Sequence, residues 1–111
     1  MTKYYFATAT PYRSDFAKNP DETEMAVMGE HFAYLKGLQK EGKVYFAGPA
    51  MGKEKTFGFY IFTAENEEEV REMMENDPAY KKGLQTMTEL VELKNSLHPL
   101  QKDYPVRKET E

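Results

Sequence analysis

The stretch Phe57-Gly58-Phe59-Tyr60-Ile61-Phe62 constrains this chain more than any other, because it reads as a strand that is apolar on both faces. Side chains alternate along a strand, so Phe57, Phe59 and Ile61 point one way while Tyr60 and Phe62 point the other. A sheet with one face in water normally carries polar residues on that face. Here each face must be covered or used, one by helices and the other by a partner subunit, a small ligand or nucleic acid.

The flanking segments supply the helical layer. Tyr4 to Thr10 reads as a first strand, again apolar on both sides (Tyr4 and Phe6 against Tyr5, Ala7 and Ala9), and Pro11 ends it. After a polar loop containing Arg13, a helix starts at Asn19-Pro20 or at Thr23 and runs to about Glu41, with Gly42 as a left-handed cap. Met28, His31, Phe32, Leu35 and Leu38 recur at spacings of three and four and form its apolar stripe. Gly29 and Gly37 weaken this helix, which points to close approach of another backbone. Lys43 to Ala47 is a second strand ended by Gly48-Pro49. A turn through Met51, Gly52 and Lys53 leads antiparallel into the third strand, Thr56 to Thr63.

Asn66 followed by Glu69 is a capping-box start, and Val70, Met73 and Met74 are the buried stripe of the second helix. Asn76-Asp77-Pro78 stops it, since the residue before proline is pushed out of helical geometry. Pro78 to Lys82 makes one further turn closed by Gly83, and Leu84 to Leu93 is a last strand. The order β-α-β-β-α-β is the ferredoxin-like split arrangement, an α+β fold with a four-stranded antiparallel sheet and both helices on one face. With 111 residues the chain forms one domain, residues 1–94, followed by a polar tail, 95–111, broken by Pro99 and Pro105.

Composition narrows the chemistry. There is no cysteine, which excludes disulfides, thiolate metal sites and thiol nucleophiles. The two histidines, His31 and His98, are far apart and in no HxH or HExxH pattern, so no metal and no cofactor are expected. His98 precedes Pro99 in the tail and reads as a surface residue. Neither a signal peptide nor a membrane-length apolar run is present, so a cytoplasmic protein without a membrane partner is expected.

For the open sheet face there are two readings. Lys55-Thr56-Phe57-Gly58-Phe59-Tyr60-Ile61-Phe62 is similar to the aromatic octamer of RRM-type RNA-binding domains. Thr56 stands where that pattern has glycine, Tyr60 replaces a valine, and Tyr4 to Ala9 does not match the companion hexamer. A net charge of −4 also has the wrong sign for a polyanion partner. No nucleic acid is therefore expected. The favoured reading is a homodimer in which two open sheets press together through a self-complementary apolar face.

Residue by residue, the candidate groups each have a structural and a functional reading. His31 lies within the apolar stripe, so its ring faces the sheet or a cleft beside it, either as a core histidine bonded to a carbonyl or as a proton-transfer group. Asp77 before Pro78 is the expected cap of a helical turn. Gly48-Pro49 is a strand terminator, and Arg13 is a loop arginine that would also suit an acidic substrate.

Taken together these places resemble a family. Glu30-His31-Phe32-Ala33-Tyr34-Leu35, then Gly42-Lys43-Val44 running into Ala47-Gly48-Pro49, then Asn76-Asp77-Pro78 with Gly83-Leu84, look like the YCII-related (YciI-like) proteins over about residues 30 to 93. The resemblance implies a ferredoxin-like fold assembled as a dimeric α+β barrel. It also implies a catalytic pair made of His31 and Asp77, with Gly48 and Pro49 as cleft wall. The chain departs from the pattern at Ala79, where an aromatic is usual, at Lys82, where a small residue is common, in a longer Thr10 to Glu22 stretch, and in a tail without the usual Pro-aromatic ending. The implied activity is general acid-base proton transfer on a small organic molecule, by isomerisation, elimination (including dehydrohalogenation) or hydrolysis. The alternative is a non-catalytic dimeric ligand-binding or accessory module.

Overall fold

Tyr60 and Phe62 decide which face of the sheet is the inside. In a computed structural model that describes residues 2–16 and 18–94, both are buried, at 2% and 1% exposure. The elements run β1 (Lys3–Pro11), α1 (Glu22–Lys40), β2 (Val44–Met51), β3 (Thr56–Ala64), α2 (Glu67–Glu75), the single turn α3 (Pro78–Lys81) and β4 (Gln85–Leu93). The sheet has four strands in the order β2-β3-β1-β4, each neighbouring pair antiparallel. This is the ferredoxin-like α+β arrangement expected from the sequence. Residues 95–111, His98 among them, lie outside the described residues.

On the covered face, Tyr5, Ala7 and Ala9 of β1, Tyr60, Phe62 and Ala64 of β3 and Val44 of β2 pack into one cluster with Leu38 of α1 and Val70 and Met74 of α2. Each large apolar side chain buried there contributes about 1.5–3 kcal/mol relative to leaving it in water. Tyr34 of α1 ties the two helices together by donating its hydroxyl to the Met73 carbonyl at 2.7 Å. The opposite face is apolar, and none of the described helices covers it. Phe46 and Phe59 meet there with ring centroids 5.3 Å apart, and Phe46 and Val91 remain 57% and 48% exposed.

Four local expectations are corrected. First, α1 is capped by Asp21, not begun at Asn19-Pro20 or Thr23. The Asp21 carboxylate accepts from the Glu24 N–H at 2.8 Å and the Glu24 carboxylate accepts from the Asp21 N–H at 2.8 Å, a reciprocal capping box. Second, Gly48 and Pro49 do not end the second strand. They lie inside β2, paired with Phe59 and Gly58, and β2 is an edge strand, where proline is tolerated.

Third, Phe32 is not in the buried stripe but 62% exposed, because each residue turns the helix by about 100° and His31 holds the inward position. The inner stripe is Glu24, Val27, His31, Tyr34 and Leu38. Fourth, Gly29 and Gly37 mark no close approach, since a Cβ at either would meet nothing within 4 Å. The helix stops where expected, with Glu41 at the C-cap and Gly42 in the left-handed region at φ 78°. No helix among the described residues is long and apolar enough to cross a membrane.

Replacing the cap should be felt by the whole domain. Asp21→Ala is expected to lower unfolding stability by about 1 kcal/mol, read as a lower urea midpoint at unchanged slope.

Candidate functional site

Helix α1 leans over the β2–β3 side of the sheet and leaves a cleft of about 600 Å³ beneath it. Met28, His31 and Leu35 of α1 form one wall, and Val44, Ala47, Gly48 and Pro49 of β2 form the other. Tyr60 of β3 and Gln85 of β4 also line it, while Met25, Phe32 and Lys36 line the part nearest solvent. Among the described residues no Asp or Glu lines this cleft, although the chain carries a net charge of −4. Lys36 and His31 are its basic groups. The Lys36 ammonium lies 5.4 Å from the centroid of the Phe32 ring, a cation–π contact.

A polar contact beside the cleft joins His31 and Asp77. Pro78 holds Asp77 in extended backbone at the N-cap of α3, so its side chain turns back and accepts from the Ala79 N–H at 2.8 Å. The turn α3 packs against α1, which brings the same carboxylate to His31. The imidazole Nδ1–H donates to the two carboxylate oxygens at 2.6 and 2.8 Å. Asp77 is 1% exposed and the His31 side chain 12%. Capping and pairing with histidine are therefore both performed by one group.

A carboxylate only accepts, so this bond assigns a proton to Nδ1, and in the neutral ring the lone pair is then on Nε2. Nε2 has no hydrogen-bond partner among the described residues, and His31 lines the cleft. The imidazole meets Tyr60 in a T-shaped contact, with ring centroids 6.4 Å apart and planes at 83°. The ring is thus fixed on one side by Asp77 and on another by an aromatic neighbour. Among the described residues no cluster of three or more His, Asp or Glu side chains is placed to hold a metal ion.

Arg13 sits elsewhere. It does not line the cleft, and its guanidinium is committed to the Glu24 carboxylate at 2.5 and 3.0 Å and to the Asn19 carbonyl at 2.8 Å. Tyr12 also hydrogen-bonds Glu24. The cluster closes the loop between β1 and α1 onto the capping box. Hydrogen bonds from Arg13 and Tyr12 hold the Glu24 carboxyl down at about 2, and the same pairing raises the Arg13 guanidinium.

Tyr60 and Gln85 are site groups that the sequence reading did not pick out. The alternation of β3 places Tyr60 on the covered face, but only the register between β1 and β4 brings Gln85 beside it. The Gln85 amide donates to the Tyr60 hydroxyl at 3.1 Å, and both side chains are buried.

Comparison with known proteins gives this arrangement a context. The YCII-related domain matches residues 5–94. The chain belongs to the YCII-related family. Among solved structures it is similar to the 5-chloro-2-hydroxyhydroquinone dehydrochlorinase TftG from Burkholderia phenoliruptrix AC1100, in complex with 2,5-dihydroxybenzoquinone. The two are 29% identical with a TM-score of 0.61, over 81% of this chain and 93% of that one. It is also similar to the structural-genomics protein YJCS at 19% identity and TM-score 0.51, over 85% of this chain and 98% of that one, a likeness of fold. No curated protein matches the chain.

The Glu24 cluster makes acid stability predictable in sign. Its carboxyl titrates below its ordinary 4.5 in the folded chain, so its stabilisation is complete above about 4.5 and is lost as pH falls from there towards about 2. Thermal melts across that window should show a steep acid limb in the wild type and a shallower one in Glu24→Gln.

Proposed function

We propose that the cleft is the active site of a small-molecule enzyme in which His31 moves a proton and Asp77 orients it. The observation that carries this reading is the hydrogen bond from His31 Nδ1–H to a carboxylate that is 1% exposed, which leaves Nε2, on a side chain lining the cleft, without a partner among the described residues. Such a carboxylate fixes the tautomer and stabilises the imidazolium that forms when Nε2 takes a proton. Gly48 and Pro49 serve as cleft wall. Arg13, engaged by Glu24, is assigned to the loop and not to substrate.

Elimination is the reaction favoured among those open to an acid-base pair, because TftG is a dehydrochlorinase. In that step Nε2 removes a proton from the substrate, the released electron pair forms the new double bond, and the leaving group departs with the pair from its own bond. Histidine is suited to the first part because its side chain gives and takes protons near neutral pH. The mostly apolar cleft walls would keep water from the reacting centre.

The second component of the proposal is a homodimer in which another copy covers the open sheet face. Exposed Phe46, Val91 and Leu93 on that face support it, since a contiguous apolar patch of this kind marks an interaction surface. A symmetric pair needs no second surface, because the same face serves both subunits.

Two measurements test these statements. His31→Asn, whose amide can still donate to Asp77, should reduce turnover of 5-chloro-2-hydroxyhydroquinone per folded molecule by about 10²–10⁴, the range for losing a general acid-base group. Retained activity, or loss matched by unfolding, would assign His31 to structure and favour the ligand-binding module. Light scattering should give twice the 12.9 kDa of one chain, and Phe46→Lys should return the mass to that of one chain.

A further inference from the structure

Tyr60 holds a buried polar atom whose hydrogen-bonding capacity is only half used. Its side chain is 2% exposed, and its hydroxyl oxygen accepts from the Gln85 amide at 3.1 Å. A phenol is also a donor, and the proton on this one has no acceptor among the described residues. Buried polar groups without partners are rare and destabilising, and such a group beside a cavity points to something that arrives to satisfy it. Burial, and secondarily the Asp77 charge, push the Tyr60 phenol up to about 12 against the lowering effect of Gln85, so the group stays protonated and remains a donor.

The chain also leaves room for such a partner. Gly58 lies two residues before Tyr60, on the same face of β3, and lines the cleft. A Cβ at this position would stand 3.2 Å from the Tyr60 hydroxyl and 3.6 Å from the adjoining ring atoms. Any side chain there would crowd the hydroxyl on its open side. Gly48, across the ladder in β2, meets only the Phe59 ring, so the opening over Tyr60 depends on Gly58 in particular. His31 lines the same cleft, its ring in T-shaped contact with Tyr60.

We propose that the Tyr60 hydroxyl, held by Gln85 and uncovered by Gly58, donates a hydrogen bond to an oxygen of a planar ring substrate while His31 Nε2 faces the proton to be moved. This rests on the acid-base reading of the cleft and adds to it the chemical class of ligand: a flat ring bearing a carbonyl or phenolate oxygen. The aromatic and methionine side chains around the cleft fit the ring, and the absence of Asp and Glu among its described lining residues suits an electron-rich oxygen. Tyr60 strengthens its bond as negative charge gathers on that oxygen, as a donor aimed at developing charge does. Gln85 is a positioning residue, since it reaches the substrate only through Tyr60.

The test is a binding titration with two probes, 2,5-dihydroxybenzoquinone as the oxygenated ring and chlorobenzene as a ring without an oxygen acceptor. The wild type should bind both. Tyr60→Phe should weaken 2,5-dihydroxybenzoquinone by about 10- to 100-fold, the effect of losing a hydrogen bond to a charged or polarised group, and leave chlorobenzene unchanged. Gly58→Ala removes no hydrogen-bonding group, provides the reading if Tyr60→Phe does not fold, and should show the same selective loss. Gln85→Leu should lose a smaller factor for the oxygenated probe alone. Equal weakening of both probes would make Tyr60 a packing residue, and unchanged binding of the quinone by Tyr60→Phe or Gly58→Ala, or no quinone binding by the wild type, would overturn the inference. None of these outcomes involves turnover, so the role of His31 stands or falls separately.

Discussion

A carboxylate buried to 1% exposure is the constraint around which this molecule is arranged. Such a group is tolerable inside a protein only when its oxygens are bonded, because an uncompensated buried charge costs several kcal/mol. Asp77 satisfies its oxygens with one backbone N–H, from Ala79, and one imidazole N–H, from His31. The first bond closes the turn after α2 on itself, and the second joins that turn to the middle of α1. The cleft lies beneath that helix. Architecture and chemistry are therefore coupled through a single side chain, and a variant at position 77 disturbs both.

Much of this was legible in the sequence because it rests on local or periodic rules. Alternation on both faces of β1 and β3 gave the sheet, and Asp77-Pro78 gave the turn. His31 was legible as an inward-facing residue through its spacing with Leu35 and Leu38, and its pairing with Asp77 through likeness to a family. What escaped depends on contacts remote in sequence or on competition between rules. Pro49 reads as a terminator until β2 is known to be an edge strand. Phe32 reads as core until His31 takes the inward position beside it. Asp21 and Glu24 did spell a capping box, but Asn19-Pro20 and Thr23 offered equally plausible starts nearby. Arg13 was placed in the correct loop, yet nothing local shows that Glu24 claims it, and the partnership of Gln85 with Tyr60 exists only through strand register.

Charge is distributed as unevenly as burial. Five of the acidic residues sit in first helical turns, Glu67, Glu68 and Glu69 in α2 and Glu22 and Glu24 in α1, where they favour the positive end of the helix dipole. Among the described residues no acidic group lines the cleft, whose lining includes a lysine and a histidine. An acidic protein thus maintains a small region where an anion is not repelled. Long-range repulsion is screened within about 8 Å at physiological ionic strength, so this local arrangement matters more to a ligand than the net charge.

The same Pro49 that helps wall the cleft also shapes how copies of the chain can meet. A strand at the border of a sheet invites any extended segment to continue the ladder, the first step of fibril growth. Along β2 an incoming chain would find a ring in place of one amide donor, beside a glycine and a bulge between Val44 and Phe46 that spoils the register. Sideways extension on that border is discouraged by covalent geometry rather than by charge. Face-to-face contact keeps its apolar surface, so the sequence separates orderly association from runaway polymerisation.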